Sequence, residues 1–180
     1  MKKILYVLSL ILILQFTGCI VFHSVSYEVN VNDDGTGTAL LTIEDINSDG
    51  TTKDAIDEDV KNIMEYALTS KAFIDGLEAE GKSKVSRNIF IEKEKLNATV
   101  SYWFVEISRV EGMQFEDPYY YLTIPVEDSI ISTNGQITKT SEYKRIVWDK
   151  SIKTLKFKMY SDDTNRAGLT SLAPYYLKEN

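Results

Sequence analysis

The stretch SVSYEVNV, residues 24–31, sets Val25, Tyr27, Val29 and Val31 against Ser24, Ser26, Glu28 and Asn30. A side-chain period of two, with one apolar face, is the signature of a half-buried strand, and no helix can keep that face together. Asp33-Asp34-Gly35-Thr36-Gly37 then supplies turn residues, and Ala39, Leu41 and Ile43 resume the alternation, so the two runs predict a hairpin. The same pattern returns from Val85. Asn88–Glu94 and Asn97–Ser108 read as a hairpin turning at Lys95-Leu96, Tyr119–Val126 as a further strand, and Tyr143–Trp148 with Thr154–Ser161 as a last hairpin around Asp149-Lys150-Ser151. In Asn97–Ser108 both faces are apolar, which predicts a central strand covered on both sides. The period changes only once. Ile56, Val60, Ile63, Met64 and Ala67 share a helical face over residues 54–70, acids crowd its first turn, and Phe73, Ile74 and Leu77 continue as a second short helix ending near Gly81. The expectation is an α+β fold in which a mostly antiparallel sheet of about six to seven strands is covered by one helical segment. That domain would span residues 19–163, with an irregular tail over 164–180.

Residues 1–18 follow a different logic. Lys2 and Lys3 are basic, Ile4 to Leu14 are apolar apart from Tyr6 and Ser9, and Gln15-Phe16-Thr17-Gly18 leads into Cys19, the sole cysteine. A basic start, an apolar middle and small residues at the end describe a secretory signal peptide, and the run is too short for an ordinary membrane span. A cysteine directly after the small residues resembles the lipobox of bacterial lipoproteins. That resemblance implies cleavage before Cys19, lipidation of its thiol and attachment to a membrane of the cell envelope, the outer membrane in a Gram-negative cell. Several acyl chains on one terminus give stable anchoring.

Composition narrows the function. Without residues 1–18 the chain carries 18 bases and 27 acids, a net charge of about −9, which opposes nucleic-acid binding. One cysteine and one histidine leave no disulfide framework, no multi-cysteine metal site and no second histidine for catalysis. Asp45, Asn47 and Asp49 imitate the first half of a calcium loop, but Lys53 and Ile56 stand where further ligands belong. The stretch reads as a turn before a helix cap. No cofactor, metal or enzymatic activity is expected.

The aromatic residues are the more informative set. Tyr102, Trp103 and Phe104, then Phe115 and Tyr119 to Tyr121, fall within twenty residues, with Trp148 later. They read either as sheet core or as the lining of an apolar pocket, and Tyr102, Trp103, Phe104, Tyr119, Tyr121 and Trp148 are the candidate lining. Lys144, Arg145, Lys156 and Lys158 form a candidate basic face for an anionic headgroup or a partner, or a solvated strand face.

Leu122-Thr123 with Pro125, Ser132-Thr133-Asn134-Gly135, and Val147-Trp148 leading into the final strand together resemble the LppM-like domain of bacterial lipoproteins. The resemblance implies a small α+β domain of the periplasm or cell envelope that binds a lipid or glycolipid without catalysis. The alternative from the residues alone is a structural or assembly lipoprotein that binds another envelope protein through a sheet edge or its acidic face.

Overall fold

A computed structural model describes residues 20–160 and 168–179 of the chain; the expected export segment and Cys19 lie outside them. The short strand β1 (Ile20–Val21) leads into the hairpin β2 (Ser24–Val31) and β3 (Gly37–Glu44), followed by the two-residue strand β4 (Asn47–Ser48). The alternation in residues 24–31 folds as expected, pairing Tyr27 with Leu41 and Val29 with Ala39 across the hairpin. Thr52 then caps helix α1 (Lys53–Lys61) by accepting from the Ala55 N–H. The helix continues as a π-helical segment, Asn62–Thr69, and stops where Ser70 caps helix α2 (Lys71–Ala79).

Two long strands follow, β5 (Lys82–Glu92) and β6 (Lys95–Phe104), and their turn differs from the sequence expectation. It lies at Lys93-Glu94, both left-handed at φ 51° and 63°, and pairs Glu92 with Lys95. A two-residue loop with both residues at positive φ matches the twist of a hairpin. The usual Asn and Gly are missing, so no residue type marks the turn. Strand β6 is also not covered on both sides. Phe104 is fully buried, while Val105 lies beyond the strand end at 51% exposure and Ile107 enters a short 3-10 turn, Ile107–Arg109.

The remaining strands are β7 (Met113–Glu116), β8 (Tyr119–Pro125), β9 (Ser129–Thr133), β10 (Gln136–Lys139), β11 (Tyr143–Asp149), β12 (Thr154–Tyr160) and β13 (Thr170–Ser171). Helix α3 (Ala173–Glu179) closes the described chain. Where six to seven strands were expected, the described residues hold thirteen. The extra ones are short, or polar edge strands such as β10 with too little alternation to read. The stretch expected to be an irregular tail holds β13 and α3, because Leu172 and Ala173 bury against Ile46, Val60, Ile63 and Leu96.

The strands form three antiparallel sheets: β5-β6-β3-β2-β12-β9, β10-β11-β8-β7, and β1-β4-β13. The expected last hairpin does not exist. β11 pairs with β8 and β10, whereas β12 pairs with β2 and β9, so the chain crosses between sheets at Asp149–Lys153. The six-stranded sheet turns one apolar face inward, with Val29, Leu41, Val100, Tyr102, Leu155 and Phe157 on it. The four-stranded sheet covers the β2–β12 side of that face through Leu122, Ile124, Ile146 and Trp148, and the helices cover the β5–β6 side. Among the described residues no helix is long and apolar enough to cross a membrane.

The loop from β9 to β10 fastens the two large sheets. Asn134 Oδ1 accepts from the buried Trp148 indole at 2.8 Å and from the Lys156 N–H at 2.8 Å, while its Nδ2 donates to the Thr154 carbonyl. Beside it Gly135 lets the indole approach so closely that a Cβ would sit 2.7 Å from the Trp148 ring. Asn134→Ala would strip the indole N–H of its partner inside the core. A loss of about 1–3 kcal/mol is expected, measured as a lowered urea midpoint with an unchanged slope.

Candidate ligand-binding site

The helical cover does not fill the space above the sheet. A cavity of about 350 Å³ remains between the helices and the inner faces of β3, β5 and β6. Leu41, Ile43, Ile89, Ala98, Val100 and Tyr102 form its sheet wall, and Ile63, Tyr66, Ala67, Phe73 and Leu77 its helical wall. Ile20 and Phe22 close it from the N-terminal side. The π-helical winding contributes Asn62, Ile63, Tyr66 and Ala67 from one segment, and such wide turns frequently occur at functional positions. Space exists because Ala67 and Ala98 occupy wall positions where larger residues would meet across the gap.

Polar groups are few and sit in two places. At one end the Lys82 ammonium is buried between Glu80 and Glu111, at 2.8 Å from each, and lies 5.3 Å from the centre of the Tyr102 ring. Burial pulls its pKa down, but the two carboxylates outweigh burial and hold it above the ordinary lysine value. Burial pushes the Tyr102 phenol well above its usual range, so it stays neutral, and its buried hydroxyl finds no hydrogen-bond partner among the described residues. On the β5 edge the second polar place holds Arg87, half-buried, with its guanidinium 5.3 Å from the Phe73 ring centre. Phe73 in turn meets Tyr66 edge-on, with ring centres 6.0 Å apart.

A second, larger groove lies at the other end of the molecule, lined by Asp33, Val105, Phe115, Asp117, Lys150 and Lys153. Its lysines are matched within the groove, Lys150 with Asp117 and Lys153 with Asp33. It is more open and more polar than the cavity beneath the helices.

The aromatic residues singled out from sequence are not brought together. Tyr102 lines the cavity, while Phe104 and Trp148 fill solid core between the two large sheets. Trp103 lies on the outer sheet face beneath Lys84, and Tyr119 is 47% exposed. Tyr121 occupies the outer face of the second sheet, stacked with Arg145 at 4.5 Å and bonded to Gln114. The reason is elementary: neighbours along a strand point to opposite faces, so a run such as Tyr102-Trp103-Phe104 cannot line one pocket.

The candidate basic face divides in the same way. Lys156 and Lys158 pair with Glu28 and Glu44 on the six-stranded sheet, whereas Lys144 donates to the Asp128 carbonyl and Arg145 to Thr123 on the other. Sequence reading missed Arg87, Ala67 and Ala98 as site residues. The available signal was an alanine at an inward position on each of two facing elements.

In the calcium-like stretch, Asp45 is held by Lys95 at 2.8 Å and by the Asn47 amide. Among the described residues no three histidine, cysteine or acidic side chains are grouped to hold a metal. Compared with known proteins, the chain matches no protein-family model and no curated protein.

The tight carboxylate contact of this region belongs to Asp59. Fully buried, it accepts from the Ser48 hydroxyl at 2.5 Å through one oxygen and leaves the other without a partner. Burial raises its pKa, against the lowering effect of the Ser48 bond. A carboxyl raised in the folded state stabilises most below its unfolded pKa of about 4 and loses that contribution as pH rises through the folded value. Asp59→Asn removes this dependence. Its urea midpoint should therefore gain on the wild type as pH is raised from about 4 to 7, and a constant difference would refute the assignment.

Proposed function

We propose that this protein is a lipid-anchored lipoprotein of the cell envelope whose domain binds a lipid or another apolar envelope ligand without catalysis. The observation that carries the reading is the cavity beneath the helices. Its volume and its predominantly apolar wall, with a few placed polar groups, match what small-molecule sites require. The cavity opens at the Arg87 edge, so its apolar wall meets water, and covering such a surface is favourable. A bound apolar ligand supplies that cover.

Two further points support the reading. Ile20 and Phe22, which line the cavity, follow Cys19 directly, so a lipid on Cys19 would hold the site within a few residues of the bilayer. The resemblance to LppM-like domains points to the same class of ligand and to the periplasm or cell surface, with the outer membrane as the anchor in a Gram-negative cell.

Both halves of the proposal are testable on the chain expressed with its N-terminus intact. Mass spectrometry of the membrane-extracted protein is expected to show a chain starting at Cys19 with acyl mass added, and Cys19→Ser should abolish the added mass and release the protein from membranes. An unmodified Met1 or an unacylated Cys19 in the wild type would overturn the anchor. Native mass spectrometry with lipid extraction addresses the site. Wild type should retain an apolar ligand, and Ala98→Phe, which sets a ring across the middle of the cavity, should lose it while still folding cooperatively. A wild type that carries no ligand and ignores both anionic and neutral liposomes would end the reading.

A further inference from the structure

Arg87 has a charge that nothing in its surroundings answers. It projects from the edge strand β5 on the cavity side of the sheet, opposite Val100 in register. Its one hydrogen bond is a long contact from Nη1 to the Tyr66 carbonyl at 3.5 Å, and the Phe73 ring covers one face of the guanidinium. Among the described residues no carboxylate lies within ion-pair distance of it. Burial alone lowers its pKa, because no neighbouring acid offsets the loss of water. A guanidinium placed this way has donors free to pair with an anion brought to the cavity edge.

The other cation of the cavity behaves oppositely. Lys82 is saturated by Glu80 and Glu111, and those acids repel an anion from that end. From the Lys82 end the apolar wall runs along β6 through Tyr102 to Val100, opposite Arg87, and on to Ala98 beyond it. Asn62 adds a polar group to the helical wall. The site thus has one anion-seeking point at a half-exposed edge and a greasy interior behind it.

Resting on the ligand-binding reading of this same cavity, we infer that its ligand is a single-chain amphiphile with a carboxylate head, a fatty acid in chemical class. The guanidinium fork matches a carboxylate in two parallel hydrogen bonds. The chain lies along β6 and beneath Ile20 and Phe22. Capacity sets the number of chains. At about 30 Å³ per water-sized group, a methylene being of similar size, 350 Å³ holds roughly a dozen carbons. That suits one medium acyl chain better than the paired chains of a membrane phospholipid.

Calorimetric titration of the full, delipidated chain tests this with three probes: dodecanoate, dodecanol and phosphatidylglycerol vesicles. Dodecanoate should bind at least ten-fold more tightly than dodecanol, and the vesicles should give no saturable binding to the cavity. Arg87→Gln should reduce dodecanoate to the affinity of dodecanol and leave dodecanol unchanged. Equal affinity for the two single-chain probes in the wild type would overturn the headgroup assignment while the cavity reading stands. Dodecanoate binding that survives Arg87→Gln would do the same. Vesicle binding that Ala98→Phe abolishes would overturn the single-chain limit. Failure of both single-chain probes would overturn the cavity reading and this inference with it.

Discussion

The structure depends on one sheet face that two different covers must share. Six strands set Val29, Leu41, Val100, Tyr102, Leu155 and Phe157 on one side, and leaving that surface wet would forfeit the main favourable term in folding. A second sheet fits closely over the β2–β12 half. Helices lie over the β5–β6 half, and helices over a twisted sheet leave gaps wherever a small side chain replaces a large one. The molecule therefore has a solid half and a hollow half, separated along the same sheet.

The solid half is fixed by a polar contact as well as by packing. Asn134 reaches from the β9–β10 loop to the Trp148 indole and to the backbone of β12, joining both sheets through one amide. Gly135 beside it permits the close approach of the ring. These are the residues on which the resemblance to LppM-like domains rested. Ser132-Thr133-Asn134-Gly135 and Val147-Trp148 lie apart in sequence and meet in space as a sheet-to-sheet fastening. The contrast with the hollow half gives the functional proposal its physical content, since the rigid side holds the inner face in place while the helical side encloses the cavity.

The cavity's electrostatics follow from the same layout. Lys82 sits where β5 begins, near the loop carrying Glu111, and is neutralised there. Arg87 sits further along the same edge strand, facing the Phe73 ring and the Tyr66 carbonyl. Distance from the acidic loops leaves the second charge unanswered. Position along one strand thus determines which cation is paired with carboxylates and which is not.

Much of the fold was legible from periodicity. The β2–β3 hairpin, the helical segment with its break near residue 70, and strand β8 all follow from alternation, caps and turns, because these act within a few residues of the chain. The β5–β6 turn was misplaced because Lys93 and Glu94 adopt left-handed geometry without the residues that normally announce it. β11 and β12 were joined wrongly because alternation defines a strand's faces and not its partner. The candidate site was less legible still, for Tyr102 alone among the six proposed aromatic residues lines the cavity, and Arg87 drew no notice. By itself the sequence determined which segments are strands and helices and which face of each is apolar. The tertiary structure decided which apolar faces meet, where Ala67 and Ala98 leave them apart, and that Arg87 stands at that gap without a counter-ion, since a void and an unpaired charge are properties of what neighbours across space fail to supply.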